Sequence, residues 1–212
     1  GRPALPAVLV STTIDTCPMM VYFGQELGER GMDTEGFSGR NGRTTIFDYW
    51  SVDTICRWRD GGTFSGRELN DGERDLQRQY ARLLHIARDE RAISEGDFFD
   101  LMYANPHTEG FNPHRQYAFL RKYKNELLII VANFDERDTQ VAVNIPTHAF
   151  DYFHLPELQS VEATELLTGT TITLTLSPEG PIILNLPGYS GIIVKIEIAL
   201  PLVQQTTINV VH

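Results

Sequence analysis

A chain of 212 residues that is 42% hydrophobic and 22% charged has ordinary globular proportions, enough for one large domain or two small ones. Its 28 Asp and Glu outweigh 18 Lys and Arg, a net charge of -10 that repels phosphate backbones and acidic lipid and argues against nucleic acid or membrane partners. No run approaches the roughly 18 continuous apolar residues of a membrane helix. Cys17 and Cys56 sit far apart in dissimilar surroundings, with neither a disulfide framework nor a zinc motif, so the compartment stays open. The opening Gly1-Arg2-Pro3 runs straight into apolar residues with no basic leader, and reads as a cut or engineered start.

Pro6 to Asp15 fits either a short helix with proline in its first turn or a strand. Met19 to Phe23, after Pro18 and stopped by Gly24, is apolar at successive positions and predicts a strand covered on both faces. Residues 24–66 predict a long loop carrying the aromatic cluster Phe47-Asp48-Tyr49-Trp50 and, later, Trp58. A helix follows: Asn70 and Glu73 form a capping-box pattern, and Leu76, Tyr80, Leu83, Leu84 and Ala87 share a face. After Gly96 the period changes to two. Strands are predicted at 98–104, 116–123, 126–133, 139–145, 161–167, 171–176, 181–186 and 190–198, punctuated by turn residues such as Thr168-Gly169 and Pro187-Gly188. Strands at that spacing suggest an antiparallel sandwich of about 100 residues.

Candidate site residues are few. Gln25 and Glu26 stand just past the end of the predicted buried strand, where open sheets and barrels place their chemistry; capping of a turn is the competing role. Arg43, Asp48, Tyr49 and Trp50 set a guanidinium and a carboxylate beside aromatic faces, which suits a sugar's apolar face and hydroxyl rim, or equally a loop anchored by its aromatics. Glu29, Asp33 and Glu35 lack the spacing of a calcium loop, and the scattered histidines, His107 and His114 included, form no metal motif. No cofactor is indicated. There is no phosphate-binding glycine loop, no assignable Ser/His/Asp set and no paired-carboxylate arrangement.

The run Pro18-Met19-Met20-Val21-Tyr22-Phe23-Gly24-Gln25-Glu26-Leu27-Gly28 resembles the eighth barrel strand and following turn of the α-amylase superfamily, glycoside hydrolase family 13, although Asp15-Thr16-Cys17 departs from the family's glycine-containing turn. Leu128 to Phe134, Glu165 to Gly169 and Pro187 to Gly191 are similar, in order, to segments of that family's C-terminal domain. The resemblance implies an α+β chain: the last elements of a (β/α)8 barrel (helix, one strand, long loop, helix) over 1–96, an antiparallel Greek-key β-sandwich over 97–200 and a tail at 201–212. It makes Pro6 to Asp15 the seventh barrel helix. The family's catalytic aspartates and glutamate belong to strands four, five and seven, which would all precede residue 1, and no His-Asp pair occurs here, so no catalytic residue is carried over. What it implies is the C-terminal part of an enzyme acting on α-glucan or maltooligosaccharide, itself lacking the catalytic carboxylates. Gln25, Glu26, Arg43, Asp48, Tyr49 and Trp50 would rim the substrate cleft. The partner would be the missing N-terminal barrel portion or a strand-swapped second copy. A stand-alone carbohydrate-binding or adaptor sandwich is the alternative.

Overall fold

The computed structural model describes residues 2–29 and 52–199. Helix α1 (Leu5–Thr13) opens the chain with Pro6 in its first turn, where a missing N–H costs nothing. Its buried Thr12 and Thr13 hydroxyls donate back to the Val8 and Leu9 carbonyls, so they enter the interior satisfied. Helix α2 (Asp53–Arg59) lies inside the stretch predicted as loop, a correction. Helix α3 (Asp71–Asp89) begins at a complete capping box between Asn70 and Glu73 and buries Leu76, Tyr80, Leu83 and Ile86. The short α4 (Arg91–Ser94) ends the helical region before Gly96.

The strands follow the period-two segments: β1 (Asp97–Asp100), β2 (Gln116–Tyr123), β3 (Glu126–Asn133), β4 (Thr139–Val143), β5 (Leu158–Glu165), β6 (Thr170–Leu176), β7 (Ile182–Leu186) and β8 (Ser190–Glu197). The segment predicted as a strand over 98–104 divides, ending in a 3-10 turn at Met102–Ala104. Between β4 and β5, where no element was predicted, helix α5 spans Thr147–Phe153. All pairings are antiparallel. One sheet has the order β1-β2-β3-β8-β5-β6 and the other is β4-β7. The two sheets face each other across a core with α5, a sandwich-like α+β fold.

The larger sheet is covered on both sides. Along β3, Leu127, Ile129 and Val131 enter the core shared with β4, β7 and α5, whereas Leu128, Ile130 and Ala132 meet α1, α3 and α4. All six are fully buried, which is why β3 reads as a continuous apolar run instead of an alternation. Gly191 on β8 permits the close approach of α1: a Cβ there would lie 2.6 Å from Leu9 Cδ1 and 2.9 Å from the Val131 carbonyl oxygen.

Polar clips fasten the helical layer to the sheet. Arg121 on β2, 2% exposed, donates Nε to Ala92 O at 3.0 Å, Nη1 to Ile14 O at 3.0 Å, and Nη2 to Ile93 O at 2.7 Å and Gly96 O at 2.9 Å. Burial pulls this guanidinium below its ordinary range, with Asp15 and Asp97 opposing. Lys195 on β8 pairs with Glu90, just past α3, at 2.6 Å, and Arg82 on α3 donates Nη2 to Leu166 O at 2.7 Å.

The strand predicted at Met19 to Phe23 is not formed. Residues 18–22 take no regular secondary structure, and among the described residues no strand pairs with them. Met19 and Val21 pack on the helical core, whereas Met20 is 80% and Tyr22 49% exposed. The run is thus covered on one face only, where a doubly covered strand needs cover on both. Among the described residues no helix is long and apolar enough to cross a membrane.

Candidate functional site

Past this segment, Gly24 turns the chain at φ +73, and Gln25–Leu27 form one 3-10 turn closed by Gly28 at φ +77. A side chain at Gly24 would also press on Glu29 Cβ at 2.8 Å, so backbone angle and crowding both demand glycine. Leu27 anchors the turn in a small core with Val52, Ile55 and Leu69, against which Phe23 and Trp58 pack. The turn is thus held between α2 and the start of α3.

Gln25 is a bridge. Its Oε1 accepts from the Tyr22 N–H at 3.2 Å, and its Nε2 donates to the Tyr80 hydroxyl oxygen at 3.2 Å. Tyr80, 1% exposed, has its phenol pushed up by burial, with the Gln25 hydrogen bond opposing and the Glu26 charge adding to the rise. Half-buried Glu26 stands beside this bridge, its carboxylate making no hydrogen bond or ion pair among the described residues. The competing role of turn capping is therefore filled by Gln25.

One support escaped the sequence reading. Arg57 on α2 grips the Glu73 carboxylate, with Nε donating to Oε2 at 3.2 Å and Nη2 to Oε1, while Oε2 also accepts the Asn70 N–H at 2.9 Å. Burial works against the Glu73 charge, but the Arg57 and Asn70 hydrogen bonds prevail and hold its carboxyl below the ordinary value. One carboxylate thereby caps α3 and fixes α2. Only the capping-box half had a sequence signal; the arginine lies 16 residues upstream.

Arg43, Asp48, Tyr49 and Trp50, and with them Asp33 and Glu35, lie outside the described residues, as does the tail at 201–212. Among the described residues no group of three or more His, Cys, Asp or Glu is placed to hold a metal ion. The three segments similar to the family's C-terminal domain come together as structure. Asn133 Nδ2 donates to the Pro187 carbonyl at 3.0 Å, the Tyr189 N–H to Asp135 O at 2.7 Å, and Leu166 N–H to Ile193 O at 2.8 Å. Buried Glu165 accepts the Leu167 and Thr168 N–H groups at 2.9 and 2.7 Å, closing the β5–β6 turn. These are joints of the sandwich.

No family model matches the sequence. Nor does any curated protein. Solved structures do match. A noncanonic maltogenic α-amylase, AmyB from Thermotoga neapolitana, is similar at 13% identity and a TM-score of 0.57 over 93% of this chain and 37% of that one. AmyP in complex with maltose is similar at 16% identity and 0.57, over 94% of this chain and 35% of that one. The α-amylase from Geobacillus thermoleovorans complexed with acarbose gives 16% and 0.51, over 94% and 34%. The chain thus spans just over a third of the length of these neighbours, and what it shares with them is fold. Over nearly its whole length, this chain shares the fold of about a third of each of these α-amylases.

Proposed function

We propose that the chain is the C-terminal part of an α-glucan-active glycoside hydrolase. Residues 1–96 would complete a catalytic barrel and 97–200 form its C-terminal sandwich. The catalytic carboxylates would stand on a preceding portion, which would cleave α-glucosidic bonds by the retaining two-step route. This part would supply the turn after the last barrel strand, with Gln25 fixed by Tyr80 and Glu26 presented to the cleft. Arg43, Asp48, Tyr49 and Trp50 would extend that rim. The sandwich would act as a buttress, its larger sheet covering the apolar flank of α1 and α3.

The observation that carries the reading is the fold match of 93–94% of this chain to about a third of two α-amylases, together with an apolar segment that forms no strand among the described residues and leaves Met20 80% exposed. An exposed apolar segment of this kind suits cover by a neighbouring strand. The missing barrel portion is the proposed partner, and in its absence a second copy of this chain. The test is light scattering of the purified chain, run beside a maltoheptaose hydrolysis assay. The expected outcome is self-association that Met20→Lys with Tyr22→Lys reduces, and no turnover. A monodisperse monomer would favour a self-sufficient binding module, and hydrolysis by material free of longer protein would overturn the placement of the carboxylates elsewhere.

A further inference from the structure

At the free edge of the larger sheet, one buried ring organises several others. Phe99 on β1 has the Tyr103 ring centroid at 6.1 Å, His148 at 5.4 Å, Tyr152 at 5.7 Å and Phe153 at 5.9 Å. Phe99 and Phe153 belong to the sandwich core. Tyr103 and Tyr152, by contrast, are 55% and 53% exposed, and His148 is exposed beside them. The rings come from β1, the 3-10 turn after it and α5, so three separate elements converge on one exposed aromatic surface. Tyr103 Oη and His148 Nδ1 lie 3.3 Å apart in a hydrogen bond, which fixes one ring against the other and leaves His148 Nε2 without a partner among the described residues.

The surface continues into a groove of about 560 Å³ that Tyr103 shares with Pro106, His107, Glu109 and Asn144. That size lies within the range of small-ligand sites, roughly 300–1,000 Å³. Its chemistry is mixed: ring faces at one end, and a carboxylate, an imidazole and an amide at the other. A pyranose has the matching duality, with apolar C–H faces that stack on aromatic rings and a rim of hydroxyls that both donate and accept. Rings already held by packing on Phe99 lose little freedom when a ligand lies on them. The chain's net charge of -10 and the Glu109 carboxylate in the groove disfavour a nucleic acid, the other polymer that stacks on aromatics.

We infer that the Tyr103–His148–Tyr152 edge is a non-catalytic saccharide-binding site, which seats a short stretch of pyranose chain on its tyrosine faces and aligns the next unit with the groove. That the chain is an α-glucan rests on the proposed function above; that it is a saccharide rests on the geometry. The site lies on the sandwich, on β1 and α5, and shares no residue with the turn carrying Gln25 and Glu26.

The test is an NMR titration of the whole chain with maltoheptaose and, separately, cellohexaose. Saturable amide shifts confined to residues 99–109 and 144–153 are expected with maltoheptaose, at a Kd on the order of 1 mM. Tyr103→Ala with Tyr152→Ala should weaken binding at least tenfold, and Tyr152→Trp, which enlarges the platform, should tighten it. The Trp variant and the wild-type shift map keep the question open to refutation even if the alanine variant folds poorly. Maltoheptaose shifts mapping elsewhere and insensitive to these variants would overturn the site and leave the α-glucan reading standing. Cellohexaose, but not maltoheptaose, on these rings would uphold the site and count against α-glucan. Binding of neither overturns the site.

Discussion

Replacing Arg121 by methionine tests whether the helical layer is held to the sheet by polar clips as well as by packing. Methionine preserves much of the stem's apolar contact and removes all four hydrogen bonds. The bonds to the Ala92 and Ile93 carbonyls are buried, whereas those to Ile14 and Gly96 lie at partly buried positions that water can reach after the change. Two sealed carbonyls left unsatisfied cost about 1–3 kcal/mol each. Release of a buried guanidinium that forms no ion pair among the described residues offsets part of this, which leaves a net loss of about 1–4 kcal/mol. In a chain of this size that is roughly 2–16 °C in the thermal midpoint. Lysine keeps the charge but cannot spread its donors over four carbonyls, and should lose about half as much. Urea unfolding followed by circular dichroism measures the change, and hydrogen exchange should speed up in α1, whose end is clipped through Ile14. An Arg121→Met variant within 1 kcal/mol of the parent, at an unchanged denaturant slope, would refute the reasoning.

Two further outcomes are expected. Gly191→Ala sets a methyl against Leu9 Cδ1 and the Val131 carbonyl, and should destabilise by about 1–3 kcal/mol; combining it with Leu9→Ala should give less than the sum of the two losses, and strict additivity in that cycle would show that α1 does not rest there. The Asp135 carboxyl is held down to about 2 by hydrogen bonds from the Arg137 side chain and N–H, against an ordinary 3.8. Because the folded value is the lower one, its contribution is present above 3.8 and disappears as pH falls through about 2. Asp135→Asn should flatten the stability curve in that window; an unchanged slope there would mean that the pair with Arg137 is not maintained in solution.

Period and punctuation made the sandwich legible. Each of the eight strands lies within a predicted segment or overlaps it, and the Asn70–Glu73 box marked the start of α3. Where period carried no tertiary information, the reading diverged. Met19 to Phe23 has the composition of a doubly covered strand, but composition does not supply neighbours, and among the described residues the segment joins no sheet. Helix α5 packs Ala149, Phe150 and Phe153 inward in only seven residues, too short a run to separate helix from strand by spacing. The turn-capping role of Gln25 was legible from its place after Gly24; its anchor, Tyr80, was visible only as a core position of α3. The aromatic edge had no local signal at all, since Tyr103 and His148 are 45 residues apart and meet only through the fold.

Because successive residues of β3 serve opposite cores, the sandwich is not a cassette. Severing the chain between residues 96 and 97 would strip Leu128, Ile130, Ala132 and Phe119 of their cover and leave α1 and α3 with no surface to lie on. The two parts should therefore melt in one transition. Moving the strands into another protein would preserve stability only if α1, α3 and α4 travelled with them, so the unit of recombination begins well before the point where the strands begin.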